Sequence, residues 1–358
     1  MNRNYKLKDF AQDVSIAVKD AQSSPFDRFV GLEHYDSGEP VITRFTDTSL
    51  LSSSVKEFHA NDILIARRNV YLRRAGIAFF DGLTSGDSIV LRIYDDCEQR
   101  TGIPKEDAIK IIPFILNSNL FWAYANKHAD GMNSKRISKE MLYDYEFKLP
   151  SLAEQRVLAD KLWAAYHLKE SYRKLLASTQ EMVKSQFIEM FNGEFPMERW
   201  EECLTITNGK KYDGEYQETG TYPICGSGGI MGYGEQKLCP KDTVILGRKG
   251  NINSPIYMES DYWIVDTAFC LDVDKQKLQP KFFYYWCILF DFTRFNKQGV
   301  LPSLTKNDLL KIEIPIPPMD LQTKFVNIQE QADKSEFELR KSIESIDKVI
   351  KSLINYNA

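Results

Sequence analysis

The chain is poor in most of the features that announce a chemistry. Its 358 residues include only four histidines and six cysteines. The cysteines, Cys97, Cys203, Cys225, Cys239, Cys270 and Cys287, are scattered with no CxxC pair, which excludes the usual zinc and thiol-redox spacings. The histidines, His34, His59, His128 and His167, show no HExxH or comparable metal spacing. Long apolar runs are missing too: Ile109–Leu116 and Phe282–Phe290 are too short or too broken to cross a bilayer. Met1–Phe10 is charged and has no apolar signal core, so a cytoplasmic, membrane-free protein is expected. There is no positive excess either, since 46 Lys and Arg stand against 50 Asp and Glu, a net charge of −4. A nucleic-acid partner therefore needs local clusters of positive charge rather than a basic total.

What is present is order repeated twice. Asp62-Ile-Leu-Ile-Ala-Arg-Arg68 resembles Asp242-Thr-Val-Ile-Leu-Gly-Arg248, and Gly86-Asp87-Ser88 resembles Val265-Asp266-Thr267. A proline opens a helical stretch at Pro104 and again at Pro280. Asp130-Gly131 matches Gln298-Gly299, and Ile137-Ser138-Lys139 matches Leu304-Thr305-Lys306. Pro150 and Gln155 recur as Pro317 and Gln322 with one constant spacing.

Each repeat closes on a long helical segment. The first is expected from about Ser151 to Phe191, opened by the capping box Ser151–Glu154 and stopped by Asn192-Gly193. The second is expected from about Asp320 to Tyr356, after Pro317-Pro318. Heptads run along both. In the first, Leu158, Ala165, Tyr172 and Thr179 share one stripe, and Leu168, Leu175 and Met182 share the other. In the second, Phe325, Ala332, Leu339, Ile346 and Leu353 are spaced by seven, flanked by Ile328, Ile343, Val349 and Ile350. A narrow apolar seam on a charged helix calls for a helical partner, so the two should pair as a coiled coil. Helices of this length are rods of roughly 50–60 Å.

The segments between are mixed. Asp62–Ala66, Ile89–Ile93, Thr243–Leu246 and Phe269–Val273 read as short strands. Helices are expected at Asp107–Lys127 and Lys281–Phe295, where Phe282, Phe283, Tyr284, Tyr285 and Trp286 are read as core rather than as base-stacking groups. The fold class is α+β: two similar mixed α/β domains separated by two long antiparallel coiled-coil helices, with approximate two-fold symmetry. The expected division is 1–150, a first globular domain; 151–193, a central helix; 194–317, a second globular domain; and 318–358, a C-terminal helix.

Basic residues cluster at loop-like places beside polar ones. The first domain offers Arg67, Arg68, Asn69, Arg73, Arg74, Ser134, Lys135 and Arg136. The second offers Lys210, Lys211, Arg248, Lys249, Asn251, Asn253, Lys297 and Gln298. Arg and Lys can reach guanine edges or phosphates, and Asn and Gln can pair with adenine. The stretch Cys225-Gly-Ser-Gly-Gly-Ile-Met-Gly232 adds Ser227 and Gly228 as a loop able to approach a backbone, although it lacks GxxxxGK[ST] and a helix-opening GxGxxG.

Several segments carry a resemblance to the specificity subunits (HsdS) of type I restriction–modification systems. They are Phe29-Val-Gly-Leu-Glu-His34, Tyr222-Pro-Ile-Cys-Gly-Ser-Gly-Gly-Ile-Met-Gly232, Asp242–Gly250, Leu301-Pro-Ser-Leu304, Leu149-Pro-Ser-Leu-Ala-Glu-Gln155 and Ile314-Pro-Ile-Pro-Pro318. The resemblance covers nearly the whole chain and implies a non-catalytic subunit. Each domain would read one half of an asymmetric, bipartite double-stranded DNA target. The helices would set the gap and dock two modification subunits that methylate adenine with S-adenosylmethionine. Restriction subunits using ATP and Mg2+ can join such a complex, and no cofactor would be held by this chain itself.

Three other readings fit the residues less well. A methyltransferase acting alone needs an Asn/Asp-Pro-Pro-aromatic motif, and Asn253-Ser-Pro-Ile-Tyr257 lacks the second proline and the adjacent aromatic. A nuclease needs clustered carboxylates with lysine, and pairs such as Asp95-Asp96 read as turns. A coiled-coil scaffold without a DNA role is opposed by the paired basic loops.

Overall fold

In the computed structural model, residues 3–18, 24–48, 55–132, 134–295 and 302–357 are described. They form two compact bodies, 1–174 with 339–358, and 175–338. Each long helix is therefore divided between the two.

The first body begins β1 (Arg3–Lys6), α1 (Leu7–Phe10), β2 (Ala11–Asp13), β3 (Ile16–Val18), β4 (Arg28–Val30), β5 (Val41–Ile42), β6 (Thr46–Asp47) and β7 (Val55–Phe58). It continues β8 (Ile63–Ala66), β9 (Ala75–Ala78), β10 (Gly82–Ser85), β11 (Ser88–Ile93), α2 (Cys97–Thr101), α3 (Lys105–Ile115), α4 (Asn119–Lys127), α5 (Lys139–Tyr143), β12 (Glu146–Leu149) and the start of α6 (Leu152–Phe191). One sheet has the order β2-β11-β8-β9-β5, the other β3-β7-β10-β4-β6, and β1 pairs with β12. The apolar run of β8 is explained by burial on both faces. Ile63 and Ile65 pack with the helical core around Ile111, Phe114 and Phe121, whereas Leu64 and Ala66 pack with Val30 and Phe58 of the second sheet. Successive strand residues point to opposite faces, so a strand between two layers is apolar throughout.

The second body repeats this plan with fewer strands. After the end of α6 come β13 (Met197–Arg199), α7 (Trp200–Cys203), β14 (Leu204–Asn208), β15 (Tyr222–Gly226), β16 (Gly229–Gly234) and β17 (Thr243–Gly247). Then follow β18 (Ile256–Met258), β19 (Trp263–Ile264), β20 (Ala268–Val273), α8 (Pro280–Leu289), α9 (Lys306–Leu309), β21 (Glu313–Pro315) and α10 (Met319–Asn357). The sheets are β14-β20-β17-β18 and β16-β15-β19, and β13 pairs with β21. Val244 and Leu246 face the helical core, while Ile245 faces the small sheet beside Cys225 and Ile264. The aromatic α8 is core, as expected: Phe282, Phe283 and Tyr285 are buried.

Both long helices form where their caps predict. Ser151 N donates to Glu154 Oε2 at 3.0 Å, and Glu154 N donates back to Ser151 Oγ at 3.4 Å. Gln155 donates from Nε2 to Pro150 O at 2.8 Å, and Gln322 to Pro317 O at 2.8 Å, so the repeat reproduces even this clamp. Within the first body, Leu158 and Leu162 pack near Ile354, and Lys169 reaches Asp347. Within the second, Gln180 meets Glu336 and Phe187 meets Phe325. In each body the two helices run antiparallel.

The expected seam of α6 needs correcting. Leu168, Leu175 and Met182 are exposed. The inward stripe is Leu162, Lys169 and Val183, with Ala159, Tyr166 and Phe187 beside it. A charged residue, Lys169, occupies a seam position and hides the period. On α10 the expected stripe through Phe325 and Ala332 does face inward, although Val349 is exposed.

Two helices are shorter than expected. Asp107–Lys127 is split into α3 and α4, because Ser118 Oγ accepts from Phe121 N at 3.0 Å and starts a new helix. The helix from Lys281 stops at Leu289 and is followed by a 3-10 turn, Phe292–Phe295. Among the described residues no helix is long and apolar enough to cross a membrane.

Candidate nucleic-acid interface

The central strands β8 and β17 deliver the next residue into the same backbone frame. In the first body Arg67 N donates to Asp87 O at 3.1 Å, and Ile137 N donates to Arg67 O at 3.0 Å. In the second, Arg248 N donates to Thr267 O at 2.8 Å, and Leu304 N donates to Arg248 O at 2.9 Å. Two residues on, Asn69 N bonds to Lys135 O at 2.7 Å and Gly250 N to Pro302 O at 3.0 Å. Both residues have positive φ, 55° for Asn69 and 77° for Gly250, as a reversal after a strand requires. Each frame is thus a knuckle that carries Arg67-Arg68-Asn69 or Arg248-Lys249-Gly250. Arg67 and Arg248 thus stand at equivalent positions, as the order of the repeat implies, whereas Thr267 rather than Asp266 takes the place of Asp87.

The first knuckle is cationic around one carboxylate. Asp87 lies 3.8 Å from Arg67 Nε, 3.7 Å from Arg68 Nη1 and 3.6 Å from Arg136 Nη2. Three guanidinium groups against one carboxylate leave a positive excess with unspent N–H donors, which suits phosphate or guanine. Arg68 Nε also donates to Ser134 Oγ at 2.8 Å, and Lys135 is exposed on the same loop. Sequence reasoning missed two further contributors. Asp87 gathers the three arginines, and Lys56 donates to Ser88 O at 2.5 Å next to it, with a pKa lowered by burial. No local motif marks either one, because a neighbouring strand brings them in.

Other candidates have structural work. Arg74 donates to Leu32 O at 2.9 Å and to Arg68 O at 3.0 Å, and burial lowers its pKa. It holds the knuckle in place. Arg73 has a positive φ of 52° and donates to Asn119 Oδ1 at 3.0 Å.

In the second body the Gly-rich stretch is a β-hairpin tip, with Ser227-Gly228 joining β15 to β16 and Gly229 at φ 105°. Ser227 N donates to Thr267 Oγ1 at 3.3 Å, and Thr267 O is the acceptor of Arg248 N. Tip and knuckle are thereby one surface. Gly247 lets them close: a Cβ there would sit 1.9 Å from Asn251 O and 3.2 Å from Ser227 Cβ. Lys249, Gly228 and Asn251 are exposed around it, and the Arg248 guanidinium lies 5.9 Å from the Phe269 ring centre. Lys210 and Lys211 are exposed on a segment held by Lys210 N to Ile264 O at 2.9 Å and by Trp263 Nε1 to Lys210 O at 2.9 Å. Asn253 is used internally, since its Oδ1 accepts from Phe292 N at 2.8 Å. Lys297 and Gln298 lie outside the described residues.

Residues 194–347 match the type I restriction modification DNA specificity domain. A Haemophilus influenzae protein described as a type I restriction enzyme specificity subunit is 26% identical over 134 residues, covering 36% of this chain and 34% of the relative. The chain thus aligns with about a third of the length of that curated relative. Among solved structures, the S subunit of a type I restriction–modification system from M. genitalium superposes with a TM-score of 0.62 at 15% identity, over 99% of this chain and 95% of that one. A chain from a structure on assembly and conformational transition of the type I R-M system gives 0.57 at 16% identity, over 99% and 96%. At those identities the likeness is one of fold.

Proposed function

We propose that the chain is a specificity subunit of a type I restriction–modification system, the part of such a complex that reads DNA sequence. The observation that carries this is the knuckle at the end of each central strand. The same backbone frame presents Arg67 in one body and Arg248 in the other. The surroundings differ: Asp87, Ser134 and Arg136 in the first, the Ser227-Gly228 tip and Asn251 in the second. Equivalent frames with unlike side chains suit two unlike half-sites of double-stranded DNA. Phosphate contacts fix position and contacts to base edges give specificity.

On this reading α6 and α10 set the number of unread base pairs, and their outer faces receive two methylating subunits. Those subunits hold S-adenosylmethionine, and restriction subunits, where they join, use ATP and Mg2+. The chain itself performs no catalytic step.

Methylation-sensitive sequencing of the host genome, with and without this gene, tests the reading. A split, asymmetric adenine-methylated motif that disappears on deletion is expected. An unchanged methylome, or loss of a palindromic motif, would overturn it. Inserting four residues into α6 adds about 6 Å of helix and should widen the gap by one or two base pairs, with both half-sites unchanged.

A further inference from the structure

The two bodies differ at one edge of the sheet. In the first, β9 is flanked by β5, with Val41 opposite Ile77 and Ile42 opposite Ala78, and Ile77 N donates to Pro40 O at 2.8 Å. In the second, β18 takes the place of β9: Val244 pairs with Tyr257 as Ile63 pairs with Ile77. Asp242 N to Met258 O and Asn61 N to Ala78 O, both 2.7 Å, fix the same register. No strand flanks β18 among the described residues. Beside it lies a groove of about 690 Å3, walled by Ile230, Tyr257, Lys281, Tyr284, Gln329 and Asp333.

The long helices show what is missing. The clamps of Gln155 and Gln322 fix their alignment, so Leu162, Tyr166 and Lys169 of α6 correspond to Gln329, Asp333 and Glu336 of α10. In the first body Leu162 and Tyr166 are buried in one cluster with Val41, and Lys169 bonds Glu39 at 2.8 Å. The short run Glu39-Pro40-Val41-Ile42 both adds a strand and neutralises the helix. In the second body nothing comparable covers the groove among the described residues. Gln329 is only 8% exposed, yet its Oε1 has no hydrogen-bond partner among the described residues. The charge is also reversed: Glu259, Glu330 and Asp333 gather there around Lys281, which pairs with Glu330 at 2.7 Å and lies 4.0 Å from Glu259.

We propose that this groove takes an extended, basic segment of a modification subunit, laid along β18 as an added strand with an arginine or lysine over Asp333 and with a donor for Gln329. An exposed sheet edge supplies main-chain hydrogen bonds, and alternate side chains supply selectivity. Lys281 already stands 5.8 Å from the Tyr257 ring centre, so the place for an incoming cation is Asp333 beside Tyr284. The inference rests on the proposed membership of a methylating complex.

The test places the photo-crosslinker p-benzoylphenylalanine at Ile230, which is 56% exposed, in the full chain co-expressed with its modification subunits. The expected product is a light-dependent adduct with a modification subunit, mapped to a peptide containing arginine or lysine. Asp333→Lys should lower its yield at least fivefold. Glu259→Lys, at a well-exposed position, should lower it too without affecting folding. Adducts confined to DNA or to a second copy of this chain, or yields untouched by both reversals, would overturn the proposal. Split-site methylation that persists in the reversed variants would show that DNA reading survives the loss of this contact.

Discussion

Lys169 Nζ lies 2.8 Å from each carboxylate oxygen of Glu39, although its position on the helix is a seam position where an apolar residue is the rule. The same ammonium meets Asp347 Oδ1 at 2.8 Å, and Arg173 Nη2 holds Glu39 Oε1 at 2.8 Å. Lys169 is 3% exposed at its side chain and Glu39 11%. Two helices and the loop before β5 are thereby pinned at one point.

Removing one partner of a buried pair strands the other charge. Lys169→Met should cost about 3 kcal/mol, the low end of the range for such breaks, because Arg173 still covers part of Glu39. The double variant Lys169→Met with Glu39→Gln should recover most of that loss, since an apolar seam is a sound alternative to a buried ion pair. Urea unfolding of the three proteins measures both effects. A neutral single variant would show that Glu39 finds water.

The paired glutamines give a second, comparative prediction. Gln322 makes three bonds: Oε1 accepts from Gln279 N at 2.8 Å, and Nε2 donates to Lys277 O at 2.9 Å and to Pro317 O at 2.8 Å. Among the described residues Gln155 makes one, to Pro150 O, and its buried Oε1 has no hydrogen-bond partner. A net hydrogen bond is worth about 1 kcal/mol, and an orphaned buried group costs about 1–3. Gln322→Ala should therefore destabilise by about 2–3 kcal/mol more than Gln155→Ala. Equal losses in thermal or urea unfolding would mean that the helix joins are held by backbone alone.

The sequence was most legible where period and caps agree. Apolar runs such as Ile63–Ala66 and Thr243–Gly247 became central strands because burial on both faces removes alternation. The capping box at Ser151 formed as written. Legibility failed where a tertiary partner overrode the local pattern. Lys169 masked the seam because Glu39, which neutralises it, lies 130 residues away in the chain. Leu175 and Leu176 are adjacent, so a shift of one residue made Leu168, Leu175 and Met182 look like a stripe. Ser118 starts a new helix inside a run that composition would have kept as one. At the candidate interface, the arginines were visible as pairs, but their grouping around Asp87 depends on strand pairing that no spacing encodes. Asn253 looked like a reader until Phe292 N claimed its oxygen.

The cysteines supply a third prediction. All six are free and buried. Burial pushes the Cys203 thiol up to about 12 and the Cys225 thiol up to about 11. A thiol above its ordinary value holds little reactive thiolate at pH 8, and that fraction rises only as pH approaches the raised value. Labelling with a disulfide reagent at pH 8 should be slow in the native chain and complete on unfolding in denaturant. Rapid native labelling of Cys225 would mean that the hairpin above it opens readily.

The knuckle makes the most direct claim on function. Arg67 and Arg248 stand on equivalent backbone frames, each donating from its N–H to one segment (Asp87 O or Thr267 O) and accepting at its O from another (Ile137 N or Leu304 N). Loss of a side chain there leaves the frame intact, because those bonds are main-chain. Arg248→Ala should weaken binding to targets altered in nothing else by about 1–3 kcal/mol, the value of one good base contact. It should relax sequence preference in the second half-site and leave the first untouched. Arg67→Ala should do the reverse. Arg74→Ala should behave differently again: it touches Leu32 O and Arg68 O, so its effect should fall on the first half-site together with a loss of stability. Fluorescence anisotropy of the assembled complex on targets with one half scrambled at a time separates these outcomes. Equal weakening across both halves, with a shallower salt dependence, would assign these arginines to phosphates rather than bases.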